Sequence, residues 1–260
     1  MNKKNKKKLL YKIIRILKKT WIQYPWRAIL YLFKKKKYNN EMNILLKKQK
    51  AIYLITPKVA SSSIKKVVSR IIDIKIKKEI VNSEYKEENI HNLNFPFIKK
   101  SNIHRYKDYY KFAFVRNPYD RLVSCYKNKI KKEPINKFPF IDWVHEWFLY
   151  SWNFYNWMSF KNFVKEIIKI KEEDCDSHFK SQHIFLTDKK WNLITSFIWK
   201  FENLESDFQK ICSKLNIKWF KLPHLMKSNH KSYKDYYDEE TKKLVTERYK
   251  KDLELFNYNF

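Results

Sequence analysis

The stretch from Ala51 to Ile72 constrains the fold more than any other, because its pattern changes from strand to helix across one short turn. Residues 51–55 form an apolar run, and from Ile64 onwards the apolar side chains recur at i, i+3, i+4, i+7 and i+8. The run predicts a buried strand, and the spacing predicts a helix. A strand that passes directly into a helix is the unit from which α/β folds are built.

The turn of this unit brings a cation and several hydroxyl groups to the start of a helix. Lys58 lies in the turn, and Ser61, Ser62 and Ser63 follow it. The N–H groups and the positive dipole end of a helix N-terminus attract anions. The lysine adds a full positive charge at the same point. The turn therefore predicts a phosphate-binding site.

A second strand-to-helix turn occurs further along the chain. The apolar residues 111–115 predict another buried strand, and Asn117 and Pro118 suit the N-cap and the first position of a following helix. Arg116 lies at the carboxyl end of that strand, the edge at which open α/β sheets bind their ligands. Ser124 follows on the helix. Two such turns on one sheet predict a ligand with two separated phosphates.

The rest of the chain continues the alternation. Residues 192–201 predict a third strand with a helix after it, and amphipathic helices are predicted at 160–168 and 239–255. Ser159 and Asp238 are their predicted caps. A polar, irregular segment between the first two units predicts a long loop. The pattern as a whole predicts an α/β fold with a central, mainly parallel sheet flanked by helices.

The chain of 260 residues contains no glycine, which excludes the glycine-rich phosphate loops G-x-x-x-x-G-K-[ST] and G-x-G-x-x-G. An ordinary nucleotide kinase or dinucleotide dehydrogenase is therefore not expected. The three cysteines, Cys125, Cys175 and Cys212, are odd in number and widely spaced. They form neither a disulfide framework nor a paired zinc-binding pattern, so we expect no metal and a reducing compartment.

The formal net charge of +30 is spread over the whole chain. It predicts non-specific attraction to polyanions or anionic membranes, and no specific recognition of nucleic acid. We predict a basic amphipathic segment at 1–45 and a single domain at 46–260. Residues 1–40 either lie on an anionic membrane surface or pack on the domain, because their apolar stretches are too short to span a bilayer. No signal-peptide pattern is present, so the predicted location is the cytoplasm, peripheral to the inner face of the membrane.

Several segments resemble motifs of one known family. Residues 57–63 (Pro-Lys-Val-Ala-Ser-Ser-Ser) resemble the 5′-phosphosulfate loop of the carbohydrate sulfotransferases that use 3′-phosphoadenylyl sulfate (PAPS). Residues 114–124 (Phe-Val-Arg-Asn-Pro-Tyr-Asp-Arg-Leu-Val-Ser) resemble their 3′-phosphate motif. Residues 176–182, 201–204 and 249–260 are similar to later segments of the family, with a serine in place of a proline and an asparagine in place of a glycine. Chondroitin, HNK-1 and heparan sulfate 2-O-sulfotransferases, with their bacterial cousins, are closest in pattern.

This resemblance implies a P-loop-like three-layer fold and a PAPS-dependent enzyme that moves a sulfuryl group to a hydroxyl of a glycan or glycolipid, without a metal. It implies that Lys58 neutralises the bridging oxygen of PAPS as the S–O bond breaks. The residues implied to hold the 5′-phosphosulfate are Lys58, Val59, Ala60, Ser61, Ser62 and Ser63. Those implied to hold the 3′-phosphate are Arg116 and Ser124.

The acceptor hydroxyl needs a general base, and histidine is the natural choice near neutral pH. His91 lies between the two phosphate motifs, as does a catalytic histidine in the heparan sulfate 2-O-sulfotransferases, and it is the predicted base. His104 in the same segment is its nearest competitor. His178 is instead predicted to shape the acceptor pocket or to hold a loop.

Two other functions are compatible with the sequence. One is a divergent phosphotransferase that uses ATP. The other is a catalytically inactive protein of the same fold that binds anionic membranes or polyanions. The aromatic residues of 138–157 also allow two interpretations, a buried helical hairpin or a wall against which a sugar ring or a lipid stacks.

Overall fold

The computed structural model describes residues 42–74, 78–81, 84–87, 93–130, 154–155, 157–218 and 232–260. The chain divides into two units, 1–41 and 42–260, and all the described residues belong to the second. The predicted base His91, most of the aromatic stretch and the predicted membrane-binding residues lie outside the described ranges. Membrane contact through residues 1–40 therefore stays a prediction.

The strands in chain order are β1 (Met42–Leu46), β2 (Ala51–Leu54), β3 (Lys78–Val81), β4 (Glu84–Glu87), β5 (Phe97–Lys99), β6 (Tyr110–Val115) and β7 (Phe197–Lys200). Five of these described strands form one sheet in the order β5-β1-β2-β6-β7. In it β2, β6 and β7 are parallel neighbours, whereas β1 is antiparallel to both β2 and β5. The sheet is therefore parallel where the two turns leave it and mixed on its other side. The predicted boundary after residue 45 falls inside β1.

The strand register brings the two turns to one edge of the sheet. Leu54, the last residue of β2, pairs with Ala113 of β6, and Val115, the last residue of β6, pairs with Lys200 of β7. Because the three strands are parallel, their carboxyl ends lie side by side. The turns that follow β2 and β6 therefore lie at the same edge, as the sequence predicts for a ligand-binding α/β sheet.

The described α-helices are α1 (Ser61–Ile71), α2 (Pro118–Lys129), α3 (Phe160–Ile168), α4 (His183–Leu186), α5 (Leu204–Lys214), α6 (Glu239–Arg248) and α7 (Lys250–Leu255). The predicted caps Ser159 and Asp238 are confirmed, because each side chain accepts a hydrogen bond from a first-turn backbone N–H. The single helix predicted over 239–255 is wrong, since two helices meet at Tyr249, where ψ is 18°. Among the helices that the structure describes, none is both long enough and apolar enough to cross a membrane.

Side chains that alternate along the central strands fill a core on each face of the sheet. On one face the rings of Tyr53 and Phe112 stack, with centroids 5.5 Å apart, and share a cluster with Ile64 of α1. On the other face Leu54 clusters with Leu186 of α4. This alternation is the two-residue period of a β-strand. Helices therefore cover both faces, and a third apolar cluster joins α2, α3 and α6.

The segment between Asp73 and Tyr110, predicted to be an irregular loop, contains β3, β4, β5 and a 3₁₀ helix at Lys100–Arg105. β5 joins the sheet through its backbone pairing with β1. A strand of three residues is too short to produce a periodic signal in the sequence, which explains the difference. The third predicted strand, at 192–201, is confirmed only at its end, in β7.

The cap of α6 provides a stability test. Asp238 accepts from the backbone N–H of Thr241 at 2.8 Å, and the Thr241 hydroxyl contacts the backbone N–H of Asp238 at 3.0 Å. Asp238→Ala removes this reciprocal cap and is expected to lower the melting temperature by about 2–4 °C. Asp235→Ala, at an exposed position without a capping role, is the matched control and should melt within about 1 °C of wild type in the same calorimetric scan. Equal melting temperatures for both variants would contradict the capping role.

Candidate active site

The first turn has an unusual backbone for residues that carry a Cβ atom. Lys58 has φ 68° and Ala60 has φ 58°, so both adopt the left-handed conformation that favours glycine. The Cβ atom makes this conformation unfavourable by about 1–2 kcal/mol per residue. Because the chain has no glycine, residues with a Cβ atom adopt this conformation at eight described positions, two of which lie in the predicted phosphate loop. Strain of this kind concentrates at functional sites.

The start of α1 is not capped by a side chain. Ala60 is its N-cap residue, and no side-chain hydrogen bond caps the helix. The Ala60 carbonyl accepts the first helical hydrogen bond, from the backbone N–H of Ile64 at 3.0 Å. The first turn, residues 61–63, therefore presents N–H groups for which the helix supplies no acceptor. Such a helix start suits an anion.

Lys58 is partly buried among other positive charges. The pKa of its ammonium falls to about 8, mainly because burial removes its solvation and also because Lys129, Arg116 and Arg121 are close. At pH 7 the group is still protonated. A cation in such surroundings is stabilised by an anion, so the charge distribution agrees with the predicted phosphate site.

Arg116, in the second turn, contacts the first turn directly. Its Nη1 donates to the Lys58 carbonyl at 3.3 Å, and its Nε donates to Asp120 Oδ2 at 2.7 Å. The guanidinium carbon lies 4.3 Å from the centroid of the Phe201 ring. These two bonds use Nε and Nη1 and leave Nη2 as the third nitrogen of the guanidinium. The two turns therefore form one continuous site.

The other predicted residues differ in how they are placed. Val59 and Ser63 are buried, and Val59 packs in the core. Ser61 and Ser62 are partly exposed at the start of α1. Ser124 is also partly exposed on α2. The structure thus brings Arg116 into contact with the Lys58 backbone, and the role of Ser124 stays a prediction.

Arg121, to which sequence reasoning assigned no role, ties the first turn to a later segment. Its Nε donates to the Pro57 carbonyl at 2.9 Å, its Nη1 to the Lys180 carbonyl at 2.8 Å, and its Nη2 to the Ser177 carbonyl at 3.1 Å. Only 2% of the residue is exposed. Because backbone carbonyls occupy all three guanidinium nitrogens, Arg121 positions the site rather than binding a ligand. The one sequence feature that could have indicated a role for Arg121 is its position within the motif at 114–124.

The backbone of the second turn is held by three later segments. The Gln182 side chain accepts from the Arg116 backbone N–H at 3.0 Å and donates to the Arg116 carbonyl at 2.8 Å. Glu202 accepts from the Asn117 backbone N–H at 2.8 Å. The Asn117 side chain donates to the Asn259 carbonyl at 2.8 Å. The later segments that resemble family motifs therefore act as braces for this turn.

Asp252 in turn fixes Gln182. Its fully buried carboxylate accepts from the backbone N–H groups of Gln182 and His183, at 2.7 and 2.8 Å. It also lies 2.6 Å from Nδ1 of the His183 ring. Both Asp252 and His183 are therefore occupied in supporting the second turn.

Two of the three histidines considered as the base lie in the described part of the chain, and their surroundings differ. His91 lies outside the described residues, so its role stays a prediction. His104 is exposed, and its Nδ1 contacts the Ser101 carbonyl at 2.8 Å. His178 lies 2.6 Å, through Nδ1, from Oδ1 of Asp176, and the charge of Lys58 acts on its ring. Of the described histidines discussed, His178 is the one with a direct electrostatic connection to the first turn.

Metal ligands do not cluster in the described part of the chain, where no group of three or more His, Cys, Asp or Glu side chains could hold an ion. The three cysteines are buried and unbonded to one another. Burial raises the pKa of the Cys125 thiol to about 11 and that of Cys175 to about 12. Both thiols are therefore protonated near neutral pH.

A comparison with family models matches residues 42–259 to one described as the sulfotransferase family. The chain belongs to the sulfotransferase family. The match begins at the first residue of β1 and contains both turns and all their braces. Comparison with curated proteins finds no match, and comparison with solved structures finds none either. Sulfotransferases transfer sulfuryl groups, typically from PAPS, and this membership supports a transferase activity for the chain.

Proposed function

We propose that this sulfotransferase moves the sulfuryl group of PAPS to a hydroxyl of a carbohydrate, in a glycan or a glycolipid, from a P-loop-like domain. The observation that carries the proposal is the contact between the two turns, where Arg116 Nη1 lies 3.3 Å from the Lys58 carbonyl. PAPS has a phosphosulfate and a separate 3′-phosphate on one nucleoside. A single molecule of this kind requires two adjoining cationic sites, which the two turns supply.

The residues of the first turn suit the 5′-phosphosulfate. Lys58 contributes positive charge, and the start of α1 contributes backbone donors together with the partly exposed hydroxyls of Ser61 and Ser62. The buried Thr56 Oγ1, at the base of the turn, has no hydrogen-bond partner among the described residues. In transfer, Lys58 would offset the negative charge on the oxygen that leaves sulfur. In many enzymes, a preorganised group that stabilises developing charge contributes more to the rate than any other single effect.

The residues of the second turn suit the 3′-phosphate. Arg116 retains Nη2 as a donor, and the partly exposed Ser124 hydroxyl is a second donor further along α2. Asp120, paired with Arg116 Nε at 2.7 Å, offsets part of the arginine charge. We therefore expect hydrogen bonds to contribute more than net charge at this end of the nucleotide.

Two exposed aromatic side chains support a carbohydrate acceptor. Tyr155 and Trp157 are 55% and 56% exposed. The Trp157 backbone N–H donates to the Ile130 carbonyl at 3.1 Å, next to Lys129, whose charge acts on Lys58. Exposed rings of this kind are suited to stack on a sugar.

Thermal stabilisation tests the donor without requiring the acceptor. Adenosine 3′,5′-bisphosphate, the product of PAPS, is expected to raise the melting temperature by about 5–10 °C at 100 times its Kd, because a ligand bound only by the native state adds about 2.7 kcal/mol at that excess. ADP with Mg²⁺ should give a much smaller shift, since it lacks the 3′-phosphate. The shifts are measured by scanning fluorimetry at constant ionic strength.

The same scan separates the other two functions. A larger shift with ADP and Mg²⁺ than with adenosine 3′,5′-bisphosphate would indicate a phosphotransferase. No shift with either nucleotide, combined with salt-sensitive binding to anionic vesicles or heparin, would indicate an inactive polyanion-binding protein. Either result would overturn the PAPS assignment.

A further inference from the structure

His178 and Asp176 form a hydrogen-bonded pair within a tight turn. Oδ1 of Asp176 lies 2.6 Å from His178 Nδ1 and also accepts from the His178 backbone N–H at 2.9 Å. The Asp176 carbonyl accepts from the backbone N–H groups of Phe179 and Lys180, at 3.2 and 2.9 Å. Phe179 is fully buried and anchors this turn in the core. The imidazole is therefore held in place while 32% of its side chain remains exposed.

Arg121 joins this histidine turn to the first phosphate turn. Its Nη2 donates to the carbonyl of Ser177, the residue before His178, and its Nε donates to the carbonyl of Pro57, the residue before Lys58. Because one planar guanidinium makes both contacts, the two backbones adjoin. The charge of Lys58 acts on the imidazole, in agreement with this arrangement.

The surroundings favour a neutral imidazole with its proton on Nδ1. An ionised carboxylate only accepts hydrogen bonds, so Nδ1 carries the proton towards Asp176 and Nε2 is the basic nitrogen. Burial lowers the pKa of His178 from its usual 6.5, and the charges of Lys129 on α2 and Lys58 in the first turn lower it further. The carboxylate of Asp176 acts in the opposite direction, but the net shift of the pKa is downward. Burial raises the pKa of Asp176, but the charge and hydrogen bonds of His178 outweigh it and hold that pKa below its usual range. A proton can therefore be accepted at pH 7.

We propose that His178 is the general base for the acceptor hydroxyl and that Asp176 is its positioning residue, an inference that rests on the proposed function. His178 Nε2 takes the hydroxyl proton as the acceptor oxygen forms its bond to sulfur. The S–O bond to adenosine 3′,5′-bisphosphate breaks, and the leaving oxygen keeps the electron pair, whose charge Lys58 offsets. His178 then releases the proton to solvent. The proposal gives His178 the role that the sequence predicts for His91, which lies outside the described residues.

His178→Ala is expected to lower the transfer rate about 10²-fold, the smaller end of the range for general-base catalysis, and to leave the melting shift with adenosine 3′,5′-bisphosphate unchanged. Transfer from radiolabelled PAPS is measured both to water and to a panel of glycosides, so that the result does not depend on one acceptor. Added imidazole should restore part of the lost rate. His104→Ala tests the competing histidine and should keep the wild-type rate, because the ring contacts the nearby Ser101 carbonyl. Loss of rate in His104→Ala, with His178→Ala unaffected, would assign the base to His104.

The pH profile distinguishes a base from a structural histidine. In wild type kcat/KM should rise with pH through a pKa below 6.5, and His178→Ala should lack this limb. Asp176→Asn should lower kcat about tenfold with little change in KM, since the ring is reoriented while substrate contacts remain. If the rising limb of kcat/KM is unchanged in His178→Ala, another group causes that limb and His178 is not the base.

The outcomes separate this inference from the proposed function. A wild-type protein that binds no adenosine 3′,5′-bisphosphate and transfers no sulfate overturns both. A wild-type enzyme that is active, with His178→Ala equally active, overturns the assignment of the base alone. Loss of rate in His91→Ala, with His178→Ala unaffected, would return the role to His91.

Discussion

Lys58→Ala is expected to lower sulfuryl transfer by about 10³-fold, because the ammonium that offsets charge on the leaving oxygen is lost. The side chain stands in a left-handed turn beside three other cations, so no neighbouring group can take its place without moving. Binding of adenosine 3′,5′-bisphosphate should weaken as well, which reduces its thermal shift. The rate from radiolabelled PAPS and the melting shift are measured on the same preparation.

Lys48→Ala is the matched control for the loss of a lysine. The Lys48 side chain is 81% exposed and its ammonium lies 3.4 Å from Asp73, in an exposed pair of little energetic weight. Its rate and melting shift should equal those of wild type. A Lys58→Ala enzyme with more than about a tenth of the wild-type rate would contradict the role of Lys58 in charge stabilisation.

The pKa of Lys58 also predicts the alkaline side of the pH profile. Burial and nearby cations lower this pKa to about 8, so the free enzyme loses the required positive charge as pH rises through that value. We therefore expect kcat/KM to fall through about pH 8 in wild type. A bound anion favours the charged form of the lysine, so the corresponding limb in kcat should lie at higher pH.

Arg121→Met is expected to lower the free energy of unfolding by about 3–5 kcal/mol, the largest effect on stability of the substitutions considered. Three backbone carbonyls, those of Pro57, Lys180 and Ser177, lose their donor, and an unsatisfied buried polar group costs about 1–3 kcal/mol. Methionine replaces much of the side-chain volume, which limits any contribution from a cavity. Denaturant unfolding followed by fluorescence measures the change.

Arg105→Met is the matched control, because Arg105 is exposed on the 3₁₀ helix. It should change the free energy of unfolding by less than about 0.5 kcal/mol. If the two methionine variants are equally stable, Arg121 does not brace the site. If Arg121→Met is too unstable to purify, Arg121→Lys provides a milder test, since one ammonium cannot reproduce a planar set of three donors.

Local patterns were sufficient to predict the parts of the site that are local in the chain. The apolar run before Thr56 and the helical spacing after Ser63 correspond to β2 and α1, and Asn117 caps α2 as predicted, accepting from the Tyr119 backbone N–H at 3.0 Å. Each of these features depends on residues a few positions apart. The family model agrees with the resemblance carried by the same turns at the level of the sulfotransferase family.

The contacts that brace the turns could not be predicted in this way. Arg121, Gln182 and Asp252 act on backbone groups of distant segments, and no periodicity or local motif indicates such a partner. The left-handed backbone at Lys58 and Ala60 could not be predicted either, because the usual sequence signal for this conformation is glycine. The chain adopts the conformation with other residues and stabilises it by tertiary contacts.

The braces of the second turn join segments that are far apart in the chain. Gln182, Glu202 and Asn259 are separated by 66, 85 and 142 residues from the groups they hold. Contacts at such separations form late, since closing the intervening loops costs entropy before they can compensate for it. A folding intermediate in which β2 and β6 are paired but these braces are absent would carry both anion motifs without holding the second turn in its native conformation. Nucleotide affinity should therefore be among the last properties to appear during refolding. Nucleotide binding then measures the fraction of the protein that has reached the native state.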